Sequence, residues 1–538
     1  MRKTLSLVAL ASLALFAALL HGAQAAWYTF PAKSVNLNST DVARPEFYEA
    51  FDGSLVDPHA VHGIQTTSGD YILVGKALET ETATKTLAFA IKLDDRGSVV
   101  WTWKAAEAGS SAANAVAQVA ADSIVVAGWA DTAGAGTQGK AALWQIDIST
   151  GIKQWSSYYT TGTKTSAYEM VEKYSDYVLL SGFSDKTDLS EMSFKSYGNV
   201  PDGVALVMKV PLSKINGTVL PSLPSDVTWQ KSFSGYITAK VARAVADSFH
   251  QVAVLLWAES EAKGAAVTML RNDGTPASSA WVQPKDYGMQ HGEATDLQVC
   301  SMKMSVIISG HGGKANGELS GRMSRILIQN GNLDWTKSFS VGGNPKLIFN
   351  ECWGLAKVGR TGYVMSCGAG IENCNSVPAS MKSDCMSGNG DTRAGAYKRL
   401  PGVWQSYMPR TNTKGELLYQ RVDQYRAPGS PEMNASTWEP TSSASEWVIN
   451  TNDGGFALVQ DEQSGVGLLK LFSEDASSFG SNSMQDFMTN FTEAILNQNI
   501  PTVEPEGYGD EPKKSSASVA SFHALLALLC VVTFQLLA

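Results

Sequence analysis

A chain that writes one short strand seven times must stack seven copies of one sheet, and this chain does so. The runs are GDYILVG (Gly69–Gly75), DSIVVAG (Asp122–Gly128), DYVLLSG (Asp176–Gly182), QVAVLLW (Gln251–Trp257), MSVIISG (Met304–Gly310), GYVMSCG (Gly362–Gly368) and GGFALVQ (Gly454–Gln460). Their ends are spaced by 53, 54, 75, 53, 58 and 92 positions. Intervals of roughly 40–50 residues and above are typical of propellers and arrays. Each run has companions. Around the first lie HAVHGIQTT (His59–Thr67), TLAFAIKLD (Thr86–Asp94) and SVVWTWK (Ser98–Lys104), separated by Gly/Asp turns. Four short runs rich in β-branched and aromatic residues, joined by tight turns, form a four-stranded meander.

One such sheet buries only part of itself, and radial stacking of four-stranded sheets gives a β-propeller. The seventh unit supplies three strands and then turns polar, while PEFYEAFDG (Pro45–Gly53) stands as an orphan strand ahead of the first unit. Pairing the orphan with the last unit closes the ring and removes exposed edges. The expectation is therefore an all-β, seven-bladed propeller over residues 44–474. A glycine also precedes an aromatic by four positions at Gly97/Trp101, Gly151/Trp155, Gly331/Trp335 and Gly415/Tyr419. The glycine suits a positive-φ turn, and the aromatic is expected to fill space between sheets. The pattern resembles the broad group of Gly/Trp-rich propeller repeats, which implies fold and no particular chemistry. One unit, Leu143–Trp155, is similar to a quinoprotein repeat through Asp147, Thr150-Gly151 and Trp155. The other units depart from it and there is no vicinal cysteine pair, so no quinone or other cofactor is expected.

The flanks carry addresses rather than blades. Arg2 and Lys3, an apolar run to Leu20 and Ala23-Gln24-Ala25 describe a signal peptide over residues 1–25. Met484, Phe487, Met488, Phe491 and Ile495 share one helical face, predicting an amphipathic helix over 481–499. Residues 500–515 are acidic and proline-containing, a stalk too poor in apolar groups to fold. Residues 516–538 end in an apolar tail without a basic flank, as in a glycolipid (GPI) attachment signal, with Ser515 or Ser516 as attachment points. A membrane segment is the alternative. Sequons at Asn38, Asn216, Asn434 and Asn490 fit a glycosylated cell-surface protein. A net charge of −9 argues against nucleic acid as partner. A monomer is expected.

In an oxidising compartment the cysteines pair by default. Candidate disulfides are Cys374–Cys385 and Cys352–Cys367, leaving Cys300 as a buried thiol. The spacing lacks C-x-x-C pairs, so no metal is expected. No nucleotide loop, HExxH motif or nucleophile elbow occurs, and no catalytic residue is assigned. His59 and His62 sit on one strand and are given no ligand role, and His291 and His311 are placed at the surface or in turns. The most prominent irregularity is an insertion of about 33 residues after Gly368, carrying Asp391, Arg393, Lys398 and Arg399. Long loops on rigid scaffolds often bind ligands, so these four are the binding candidates. The expected role is a recognition or adhesion module for an extracellular protein or glycan. The alternative is an extracellular propeller enzyme (glycosidase, lyase or oxidoreductase) with its site at the central channel. Convergent Asp, Glu, His or Arg side chains there would favour the enzyme.

Overall fold

The computed structural model describes residues 33–36, 45–51 and most of 54–471. Residues 1–32 and 472–538 lie outside that description, as do 185–190, 193–203, 216–225, 245–251, 258–264, 278–292, 341–348, 371–403, 425–442 and some shorter breaks. The signal peptide, amphipathic helix, stalk, anchor sites Ser515 and Ser516, and all four sequons therefore fall outside it.

Seven antiparallel sheets follow one another along the chain, forming a seven-bladed propeller. In blade 1 the innermost strand is Val56–Gln65, followed by Tyr71–Leu78, Thr86–Leu93 and the outer Val99–Lys104. The innermost strands of the later blades are Ser111–Gln118, Ala167–Lys173, Thr238–Ala244, Glu293–Cys300, Phe349–Val358 and Ser443–Asn450. Blade 4 has three described strands plus a bridge between Leu270 and Pro276. Two short strands were not foreseen: Lys33–Asn36 adds to the outer edge of blade 6, and Glu191–Met192 runs parallel to the outer strand of blade 3. The only helix among the described residues is Leu212–Ile215.

The ring closes as the orphan strand suggested. Pro45–Phe51 pairs antiparallel with Gly465–Leu471 and completes blade 7, after which the chain enters blade 1. A hydrogen bond ties the innermost hairpins across the seam, Asn452 N–H donating to Gln65 Oε1 at 2.7 Å, and the blade 1–2 interface carries the equivalent bond, Thr67 N–H to Gln118 Oε1 at 2.8 Å.

Burial explains why the recurring strands are continuously apolar. In Tyr71–Leu78, Ile72 and Val74 join the cluster facing blade 2, while Tyr71 and Leu73 join the cluster facing blade 7. A strand covered on both faces has no polar side to alternate.

The terminal glycine has a separate cause. Every innermost strand carries a register shift at the same place, skipping Val61, Asn114, Glu169, Lys240, Thr295, Trp353 and Glu446 in turn. In blades 1, 2, 3 and 5 a carbonyl beside the bulge closes on the second strand. A Cβ on Gly75, Gly128, Gly182 or Gly310 would lie 1.9–2.1 Å from the oxygen of His59, Ala112, Ala167 or Glu293. Leu256, Cys367 and Gln460 occupy the same register in blades 4, 6 and 7. The true repeat end thus falls one residue before Trp257 and Gly368. In blade 6 the cysteine facing the bulge is bonded to Cys352 across the strand pair. Cys300 is a buried free thiol. Cys374 and Cys385 lie outside the described residues.

The glycine turns also work between blades. Gly151, at φ 71°, lies beneath Trp101 of the preceding blade, whose indole N–H donates to Ile148 O at 2.8 Å. Trp229 covers Gly274 and donates to Asn272 O at 2.8 Å, and Trp335 covers Gly415. Trp101, Trp229 and Trp335 therefore each fill the space between sheets by docking on the next blade's glycine.

Candidate functional site

The face at which innermost strands begin and second strands end carries a cavity of about 560 Å³. Its walls come from blades 1, 6 and 7: Asp57 to His59 and Lys76 to Leu78, with Thr86, from blade 1; Glu351, Trp353 and Trp404 from blade 6; and Ala444, Glu446 and Asp461 from blade 7. All of these sit on strands or strand ends, which gives the cavity rigid walls. Trp353 and Glu446 are the bulged residues of blades 6 and 7, and bulges re-aim side chains in this manner. Asp57 adopts φ 46°, a left-handed conformation unusual outside glycine, at the cavity edge.

The polar wall centres on three groups. His59 Nδ1 and Asp461 Oδ2 are hydrogen-bonded at 2.6 Å. Single atoms of His59, Asp461 and Glu446 all lie within 4.8 Å of one another. Burial pulls the His59 imidazole down, but its bond to Asp461 and the field of Glu446 and Asp461 outweigh this and hold its pKa above the ordinary value. Burial pushes the Glu446 carboxyl up to about 8; His59 opposes the shift and Asp461 and Glu351 add to it. Glu446 is 8% exposed. The apolar wall is a pair of indoles, Trp353 and Trp404, with centroids 6.3 Å apart and planes at 48°. Gly368 makes room for them, since a Cβ there would approach Trp404 at 2.9 Å and Trp353 at 3.0 Å.

Deeper in the ring, Arg243 of blade 4 bridges Glu172 of blade 3 and Asp296 of blade 5, the latter at 3.0 Å. Asp296 also accepts the N–H groups of Leu297 at 2.7 Å and Leu355 at 2.8 Å. Burial raises the pKa of both carboxyls although Arg243 opposes it. His62 packs its ring on Trp447, centroids 4.3 Å apart, and accepts Val116 N–H at 3.4 Å on Nδ1. Burial lowers its pKa to about 3, and Arg243 adds to the shift. Arg243 thus links blades 3, 4 and 5, while His62 Nε2 and Arg243 Nε are buried without a hydrogen-bond partner among the described residues. On the cavity's face Lys240 pairs with Glu293. His311 is buried in the second strand of blade 5 with Nδ1 3.4 Å from Cys352 O, which corrects its placement at a surface or turn.

Asp391, Arg393, Lys398 and Arg399 lie outside the described residues. The ends of their insertion, Gly370 and Trp404, belong to strands of blade 6, and Trp404 lines the cavity. Sequence reasoning considered His59 alone and missed Glu446, Asp461 and the indoles. His59 and Asp461 are 402 positions apart, so no local motif contains both. Aligning the repeats on the residue opposite each bulge would have singled out Trp353 and Glu446.

No protein-family model matches the chain, and no curated protein matches it. Several solved structures are similar. The extracellular domain of the hybrid two-component system BT4673 from B. thetaiotaomicron shares 9% identity at a TM-score of 0.38. That match covers 78% of this chain, which spans only 39% of the other. The Pan2 WD40 domain of Neurospora crassa shares 9% over 77% of this chain and 91% of its own, at 0.39. Quinohemoprotein alcohol dehydrogenase ADHIIG from Pseudomonas putida HK5 shares 10% over 79% and 77%, at 0.35. Such likenesses concern the propeller fold alone, and no functional argument rests on them.

Proposed function

We propose that this chain is a cell-surface recognition propeller that holds a saccharide in the cavity between blades 6, 7 and 1. The observation that carries the reading is the juxtaposition of two indoles with four carboxyl groups, a histidine and Lys76 around one opening. Pockets that recognise small polar ligands combine apolar walls with a few convergent polar groups. Trp353 and Trp404 offer flat faces for the C–H side of a sugar ring. Glu446, Asp461, Glu351, His59 and Lys76 supply acceptors and donors for its hydroxyls. The signal-like N-terminal segment, the sequons and the GPI-like tail support delivery to the cell surface. No described helix is long and apolar enough to cross a membrane.

A second reading, glycoside hydrolysis, has one specific support: a Glu446 carboxyl that keeps its proton near neutrality could act as a general acid. Its nearest carboxyl neighbour is engaged: Asp461 is hydrogen-bonded to His59 at 2.6 Å, and a carboxylate held in that way is a weaker base or nucleophile. Binding is therefore the preferred reading. The test is a glycan-array screen of the purified protein followed by calorimetry on any hit. W353A and W404A are expected to weaken binding at least tenfold without product release. A protein that binds no glycan, or variants that bind as well as wild type, would refute the assignment.

A further inference from the structure

Glu446 is 8% exposed and lines the cavity beside His59 and Asp461. Across the cavity corner, His59 and Asp461 present one nitrogen and one oxygen toward the same space. The three donors come from the innermost strand of blade 1 and the innermost and second strands of blade 7, so the closed ring fixes their positions.

We infer that His59 Nδ1, Glu446 and Asp461 form a binding site for a divalent transition metal of the Zn²⁺ class, with its open coordination positions facing the cavity. One imidazole and two carboxylates suit such an ion, and three protein ligands with free positions are the usual makeup of zinc sites that engage a further ligand. Bond lengths of 2.0–2.1 Å place tetrahedral donors about 3.3 Å apart. The metal-free set brackets that value, with His59 and Asp461 at 2.6 Å and no pair beyond 4.8 Å. Loading would replace the His59–Asp461 hydrogen bond with two metal bonds and add a third from Glu446. Glu351 also lines the cavity, and the resulting excess of carboxylates over Lys76 attracts a dication. This inference does not depend on saccharide recognition, because the ligand set contains neither indole.

The experiment is calorimetric titration of the chelator-stripped full chain with ZnCl₂, with MnCl₂ and CaCl₂ in parallel and no saccharide present. One Zn²⁺ per chain is expected, bound at micromolar Kd or tighter. H59N, E446Q and D461N should each weaken it at least tenfold while retaining the wild-type circular dichroism spectrum. If a variant misfolds, Co²⁺ titration of the wild-type chain provides the second readout: visible d–d bands of a low-coordinate N/O site support the inference. Octahedral, weakly absorbing Co²⁺, absence of Zn²⁺ binding, preference for Ca²⁺, or Zn²⁺ binding untouched by the three substitutions would each overturn it. Glycan binding that survives chelation leaves the saccharide reading standing whichever way the metal titration falls.

Discussion

Replacing Arg243 with methionine tests what holds the channel together. The guanidinium is 13% exposed and touches Asp296, which is fully buried, and Glu172, which is 22% exposed. Removing one partner of a buried ion pair costs about 3–5 kcal/mol because the other charge is left uncompensated. Asp296 keeps its two backbone N–H donors, so the cost falls mainly on Glu172 and on the shared field. The sign with pH follows from the carboxyls. Burial already holds both pKa values above the ordinary range, and losing Arg243 raises them further while the unfolded values stay put. The folded variant then binds more protons than the unfolded chain, so its stability falls as pH rises through the unfolded carboxylate values toward the raised folded ones. At pH 8 the deficit should be near its full size, a Tm lower by roughly 3–5 °C for a cooperative unit of this length. Near pH 4.5 it should shrink to the lost packing, on the order of 1 kcal/mol. Thermal melts followed by tryptophan fluorescence measure both. The triple variant R243M/E172Q/D296N should lose the pH dependence. A deficit of equal size at both pH values would refute the electrostatic account.

Three further outcomes are expected. His62 is buried with its pKa lowered to about 3, so its stabilising neutral form is fully present above the unfolded value near 6.5 and is lost as pH falls toward 3; H62F should flatten the acid limb of a melting-temperature profile between pH 6.5 and 4, and an unchanged limb would count against this. Gly128→Ala places a methyl 2.0 Å from Ala112 O, a clash that should cost at least about 1–3 kcal/mol in urea melts, whereas wild-type stability would mean the bulge does not set the glycine. Reduction of Cys352–Cys367, whose partners are 15 positions apart, should cost about 3 kcal/mol, measured as the shift in urea midpoint with and without dithiothreitol.

Particular residues show how far the sequence could be followed. The seven runs were legible because a strand packed on both faces must be apolar throughout, and Ile72 and Leu73 serve different interfaces from adjacent positions. Closure was legible because a three-stranded last unit and an orphan strand are complementary deficits. The glycine–tryptophan spacing was visible, and so was the aromatic's place between adjacent sheets; the glycine it meets there was not. The register puts Trp101 on Gly151 of the next blade, and no local reading distinguishes that from Gly97. The cavity was not legible. His59, Glu446 and Trp353 come together through ring closure and through bulges, and a bulge shifts the side-chain phase without leaving a composition signal. The insertion with Asp391 and Arg399 drew attention through its length, whereas the polar cluster lies on strands of ordinary length.

Closure by Pro45–Phe51 also sets a timetable. Phe51 pairs with Val466, a partner that emerges from the ribosome roughly 415 residues later. At synthesis rates of about 5–20 residues per second, that strand waits some 20–80 s before its partner exists. For nearly all of that interval blade 1 has no seventh neighbour to cover Tyr71 and Leu73, and the cavity lacks Glu446 and Asp461. A product that stops short of blade 7 therefore cannot present the polar cluster. Only the closed ring carries it, which makes the site a marker of ring completion.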